Sequence, residues 1–431
     1  MTREELALEP LVNWATHVVP ADIPGQVYNH ATIVIMDLLA VIWAGREEPE
    51  VKGLAKWVTD HRHDAEPWWR GVILGTAAVA LELDEGNRRA MGHPGSHILP
   101  AMLSVLPELP SVTWEEVLFA FVVAYETSAR IASGGTLRPG SHPHGTWGTI
   151  GGAVAIALLR GERSGLADTV RLASSVGLAT AFSAPQEGRT VRNLYAGISA
   201  MMAYFANEWS GTISGIFAPS DTLFTMWSDK GLMDGIGTDY AVTQNYMKII
   251  AACRYVHGAV EAIERLSSMN QLQESTIKSV DVETYVPAAL LGGVPHNTLS
   301  SKFSLPYAIL CGLRGRGHDF AAFHQPLHLS SQDYDFMNSV RVLPSASLTA
   351  LLPGVRRTRV TIYLRDGVEP LTLEVDLPLG EWDHPLPDGA LETKWSMLLS
   401  DYPKTIDLSI LSLPVLREFV KNFLQSCYAE L

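Results

Sequence analysis

Residues 81–100, LELDEGNRRAMGHPGSHILP, constrain this chain more than any other stretch. They gather Glu82, Asp84 and Glu85, two arginines, His93 and His97 between runs rich in Ala and Leu. Buried ionisable groups are costly unless they are paired, so a cluster flanked by apolar runs reads as the wall of a cleft rather than a solvated face. Gly92, Pro94 and Gly95 interrupt any helix and present His93 from a turn. Pro100 then suits the first turn of a helix that continues AMLSVL.

The flanking runs read as core helices. ATIVIMDLLAVIWAG is broken by Asp37 and VLFAFVVAYETSARIA by Glu126, so neither supplies the roughly 18 uncharged residues of a spanning helix. The start, MTREELALEP, is acidic and resembles neither a secretory signal nor a transit peptide. A net charge of −14 argues against nucleic acid as a partner, and no membrane partner is expected. A protein this acidic must gather positive charge locally to hold an anionic substrate. Three cysteines far apart, with no CxxC, give no disulfide framework and fit a reducing, cytoplasmic compartment.

At 431 residues the chain is long enough for two or three domains. Residues 1–77 read as helical, with 28–44 the most apolar. Thr113 and Glu116 form a capping box that starts a helix over 114–132. Residues 133–152, SGGTLRPGSHPHGTWGTIGG, form a Gly- and His-rich loop, and helices follow over 150–159, 167–182 and 195–209. Near residue 275 the pattern changes. Residues 279–286 alternate as a strand, and 356–364 and 371–377 form a hairpin about Asp366-Gly367. The fold expected is mainly α with a smaller α+β domain. Residues 1–270 plus 391–431 form the helical domain and 271–390 the smaller one, and a last helix over 413–424 packs back on the first.

Each candidate for chemistry has a plainer alternative. His93 and His97 are spaced i, i+4, but Pro94-Gly95 splits them and no HExxH or Cys/His set accompanies them, so no metal is expected. His93 is either a proton carrier beside carboxylates or a turn histidine capping the next helix. His142 and His144, in SHPHGTWG, either reach a substrate or lie on a surface loop. GTWGTIGG precedes a helix and offers an anion site, but without a GxGxxG frame the dinucleotide reading is weak. Arg192 in EGRTVRNLYAG, with Lys248, Arg254 and His257 in KIIAACRYVHG, suits carboxylate binding or is ordinary surface charge. Tyr307 is a packed core tyrosine or a proton donor.

Five stretches, in order over residues 78–315, together resemble the MmgE/PrpD family. They are LELDEGN with GHPGSHILPAML, GSHPHGTWGTIGGAVAIALLRG, VRNLYAG, KIIAACRYVHGAVEAI and SKFSLPYAILCGL. This family includes 2-methylcitrate dehydratase, cis-aconitate decarboxylase and iminodisuccinate epimerase. The resemblance implies a helical domain built from both chain ends, a smaller α+β domain, a cleft between them, a homodimer and no cofactor. His93 falls on the histidine of the family's HPG segment, His142 on that of its GxHPxGTxG loop and Tyr307 on the tyrosine of FSxxY. Lys248 and His257 fall on the lysine and histidine of its KxxxxCRxxH helix. Three positions depart from the decarboxylase-like pattern. Glu82 stands where Asp is usual, Gly86 where Thr is, and Arg192 where the decarboxylases use a lysine.

The chemistry implied is proton transfer at a carbon next to a carboxylate, with His93, His142, Tyr307, Glu82 and Asp84 as catalytic groups. Arg192, Lys248, Arg254, His257 and His144 hold the substrate carboxylates. The expected activity is a cofactor-independent lyase on a small di- or tricarboxylate, with dehydration ahead of decarboxylation. An isomerase acting on an iminodisuccinate-like dicarboxylate is the alternative, and a non-catalytic family member a further one.

Overall fold

Apolar side chains surround the helix Gly25–Gly45, and Val34, Ile35, Leu38, Leu39, Val41 and Ile42 are fully buried. Its one interior charge, Asp37, is met by Lys394 at 2.7 Å and by the indole N–H of Trp395 at 2.9 Å. Among the described helices this is the one long and apolar enough to cross a membrane, yet 67% of that stretch is buried against the protein's own residues. The computed structural model describes residues 3–213, 223–228, 230–325, 327–403, 408 and 410–429. The chain divides into two units. The first comprises Met1–Phe182, Val191–Asn245 and Leu391–Leu431, and the second Ser183–Thr190 and Tyr246–Ala390.

In the first unit the helix Gly148–Leu159 is central. It carries small and apolar residues on all sides and packs against Gly95–Val105, Trp114–Ser133 and Val191–Trp209. Trp114–Ser133 starts at the expected capping box, where Thr113 Oγ1 accepts from the Glu116 N–H and the Glu116 carboxylate accepts from the Thr113 N–H. Two of the helices that differ from expectation lie beside the His-rich loop. Gly95–Val105 begins a turn early, so Pro100 lies inside it. The Glu85 carboxylate accepts from the Gly95 N–H at 2.7 Å and Asp84 from the Ser96 hydroxyl at 2.7 Å, which anchors the helix start ahead of the proline. The helix expected over 167–182 is Leu166–Ser175. Beyond it the chain turns to the His-rich loop, where the Leu178 N–H donates to Gly145 O and the Phe182 N–H to Gly140 O.

In the second unit a four-stranded sheet runs in the order Val340–Pro344, Ile277–Thr284, Thr358–Leu364, Leu371–Val375. The first pair is parallel and the others antiparallel, with Val282 opposite Val342 and Val360. The hairpin turns at Asp366-Gly367, where Gly367 has φ 79°. The strand Val340–Pro344 is absent from the sequence reading. The helix Arg254–Asn270, expected in the helical domain, groups with this unit because it packs on the two hairpin strands and on Leu305–Leu313.

Candidate active site

The acidic turn 81–94, the first turn of Gly95–Val105 and the loop 138–147 bring four imidazoles together in the first unit, and the start of Val191–Trp209 adds Arg192. His142 and His144 stack with ring centroids 4.8 Å apart, His144 and His93 at 5.0 Å, and His97 tilts against His144 at 5.1 Å. Phe182 closes the column over His142 at 5.7 Å. His97, His142 and His144 are buried, and the His93 side chain, 12% exposed, is the most open of the four.

Main-chain groups and arginine have fixed hydrogen-bonding polarity, so they assign the imidazole tautomers. The His93 Nδ1–H donates to Glu85 O at 2.7 Å and lies 3.1 Å from the Asp84 carboxylate, which puts the ring's lone pair on Nε2. His142 has the opposite polarity. Its Nδ1 accepts the His144 main-chain N–H at 3.1 Å, so its proton is on Nε2. Thr180 clamps the His142 backbone, its Oγ1 accepting from the His142 N–H at 3.1 Å and donating to His142 O at 2.7 Å. His97 Nε2 accepts the Gly145 N–H at 3.2 Å, and its Nδ1–H donates to His93 O at 2.8 Å. His144 Nε2 faces Arg192 Nη2 at 3.0 Å, and its Nδ1–H points at His97 Nε2 at 3.4 Å.

Burial keeps His97, His142 and His144 neutral. It pushes His97 down to about 4 and His142 to about 3, and the neighbouring imidazoles add to the effect. His144 is held well below the ordinary histidine range for the same reasons. Burial pushes Glu85 up to about 7, against hydrogen bonds from Tyr125 and the Gly95 N–H that favour its anion.

The structure brings Glu82, Asp84, His93, His142, His144 and Arg192 into one cluster. Arg192, expected to meet substrate, is 1% exposed, and its guanidinium pairs with Glu82 and donates to Val79 O and Asn193 Oδ1. Glu82 holds this place with a left-handed backbone, φ 57°. Lys248, Arg254, His257 and Tyr307 belong to the second unit. There Arg254 is buried against Glu381 at 3.0 Å and donates to Pro378 O, Leu379 O and His257 Nδ1. His257 Nε2–H donates to Ala252 O at 3.1 Å, and burial with Arg254 and Lys248 nearby depresses its pKa. Lys248 is fully buried. The Tyr307 hydroxyl donates to Ala322 O at 2.6 Å, and burial raises its pKa.

Sequence reasoning placed Glu85 and His97 in the 81–100 cluster without giving either a role, and it left out Ser96, Tyr125 and Thr180, which hold the cluster's carboxylates and loops and carry no local signal. Asp84, His93 and His144 each offer a ligand atom within 4.8 Å of the others, the donor set of a three-ligand metal site. The Arg192 guanidinium against His144 is a resident cation there and opposes a second one.

Four imidazoles of fixed and opposed polarity, three held by carboxylates or main-chain groups and the fourth by Arg192, form an arrangement that can take up and deliver protons. The chain belongs to the MmgE/PrpD family: residues 9–223 match the MmgE/PrpD N-terminal domain and residues 250–407 the MmgE/PrpD C-terminal domain. It is similar to the cis-aconitate decarboxylase of Aspergillus terreus strain NIH 2624 / FGSC A1156, with 24% identity covering 90% of this chain and 88% of the relative. It is also similar to a cis-aconitate decarboxylase-like protein of Aspergillus oryzae, with 26% identity over 59% of this chain and 60% of that one.

Proposed function

We propose that the chain is a lyase that forms a carbanion next to a carboxylate of a small di- or tricarboxylate and places a proton on it. The observation that carries this reading is the opposed polarity of His93 and His142. His93 presents a basic Nε2 while Asp84 and Glu85 O hold its Nδ1–H. His142 presents an Nε2–H while the His144 N–H holds its Nδ1. A proton taken up on His93 Nε2 creates an imidazolium balanced by Asp84, and His142 stays neutral and donates to the ene-diolate oxygen.

The similarity to a cis-aconitate decarboxylase supports decarboxylation over the dehydration expected from the sequence. In that reaction His93 Nε2 first takes a proton from solvent, its imidazolium balanced by Asp84; the carbon–carboxylate bond then breaks, its electron pair passes to the carbon skeleton, carbon dioxide leaves, and the His93 proton completes the product. Dehydration would instead take a proton onto His93 and expel hydroxide from the β-carbon. Proton and carbon NMR of cis-aconitate incubated with the enzyme in D₂O tests the reading. One deuterium per turnover at a carbon next to a carboxylate, with loss of carbon dioxide, supports decarboxylation. Turnover of a 2-hydroxy tricarboxylate with loss of water moves the assignment to dehydration. Absence of both turnover and exchange across a panel of di- and tricarboxylates overturns it.

A further inference from the structure

We infer that Arg192, held by Glu82, is a positioning residue that fixes the tautomer of His144, the middle ring of the imidazole stack, and so holds the imidazoles beside the reacting groups. The inference rests on the reading of His93 and His142 as the groups that handle the proton. A guanidinium has five donors and no acceptor. Arg192 Nη2, 3.0 Å from His144 Nε2, can only donate, so that nitrogen must carry a lone pair. The His144 proton is then on Nδ1, aimed at His97 Nε2 3.4 Å away. His97 Nε2 already accepts the Gly145 N–H, so the His97 proton sits on Nδ1 and ends on His93 O, the carbonyl of the base itself.

His144 occupies the middle of the stack, between the two imidazoles of opposite polarity, and its main-chain N–H sets the polarity of His142. Glu82 keeps the arginine in place at the cost of a left-handed backbone, and Val79 O and Asn193 Oδ1 take two further Arg192 hydrogen bonds. The second unit repeats the arrangement: Glu381 holds Arg254, which donates to His257 Nδ1, and the other ring N–H ends on Ala252 O. A carboxylate, an arginine that can only donate and a histidine forced to accept thus occur twice among the described residues. The first copy is built against the imidazole stack.

The test reads the tautomers directly, by long-range proton–nitrogen NMR of the ligand-free protein labelled with ¹⁵N-histidine. The wild type is expected to show His144 and His97 as Nδ1–H forms and His142 as the Nε2–H form. Arg192→Met should move His144 to the other or a mixed tautomer and lower kcat by about 10²-fold with KM within a few-fold, since a displaced catalytic group costs rate rather than binding. Arg192→Lys, which also can only donate, should restore the wild-type tautomers and raise kcat above that of the Met variant. If Arg192→Met does not fold, the wild-type spectrum and Arg192→Gln, whose amide oxygen can accept, decide the matter. An Nε2–H His144 in the wild type overturns the inference. So do unchanged tautomers in the Met or Gln variant, or a rise in KM alone, which would put Arg192 on the substrate. The tautomer measurement needs no substrate, so expected spectra with no turnover of any acid would sink the functional reading and leave the relay standing.

Discussion

His142 and His144 lie face to face, 4.8 Å between ring centroids, and the main-chain N–H of His144 donates to His142 Nδ1. That one hydrogen bond makes His142 a donor at Nε2 rather than a base. It separates the His142 role from that of His93.

Substitutions at the two positions should therefore differ. His93→Gln cannot carry a proton, and its kcat should fall by about 10²–10⁴. His142→Gln keeps an amide N–H and should lose about tenfold, whereas His142→Ala should lose about 10²–10³, as for a missing oxyanion donor. Steady-state kinetics on one acid, with deuterium incorporation as a second readout, compares all three. A His142→Gln loss as deep as that of His93→Gln would mean that His142 itself carries the proton.

Stability should show two opposed dependences on pH. His142 and His97 are held neutral, at about 3 and about 4, below the ordinary histidine value of 6.5. Between about 4 and 6.5 the unfolded chain binds more protons at these sites, so their contribution raises stability as pH rises. Glu85 acts the other way. Its folded value of about 7 lies above the ordinary 4.5, so its contribution is complete below 4.5 and is lost as pH rises through 7. Glu85→Gln should consequently steepen the gain in stability between pH 5 and 7. Urea unfolding at pH 5, 6 and 7 checks it, and parallel wild-type and variant profiles would refute it.

Gly148 lies where a Cβ would come within 2.4 Å of His97 Cγ. Gly148→Ala must push the imidazole aside, and overpacking of this kind typically costs about 1–3 kcal/mol. Both the melting temperature and kcat should drop, whereas a helix-propensity effect alone would raise stability. An alanine variant as stable and as active as the wild type would remove His97 from the account.

Chelation should leave activity intact. Asp84, His93 and His144 could each supply a ligand, but the Arg192 guanidinium lies 3.0 Å from His144 Nε2. Prolonged dialysis against EDTA followed by assay is the check. Loss of activity restored by one divalent ion would assign that ion to the three side chains.

Local signals made some of this site legible and long-range partners hid the rest. The capping box at Thr113 and the turn that presents His93 depend on adjacent residues, and both appear where expected. The start of Gly95–Val105 depends on the side chains of Asp84 and Glu85, so Pro100 alone pointed to the wrong turn. The strand Val340–Pro344 is short and pairs in parallel with Ile277–Thr284, which no local alternation announces. Arg192 looked like a carboxylate anchor because its partner Glu82 lies far away in sequence and the backbone that presents it is unusual.

Lys394 donates to Leu83 O, 311 residues earlier in the chain, and pairs with Asp37 in the heart of Gly25–Gly45. The turn that carries Asp84 is thus pinned by a side chain that leaves the ribosome only after the whole of Tyr246–Ala390 has been made. Until then Asp37 is a carboxylate inside an apolar helix without its ammonium. A nascent chain at that stage holds an unfinished first unit, exposed to chaperones and proteases while the second is translated. The turn beneath the histidine cluster gains its Lys394 hydrogen bond only once residue 394 has been made.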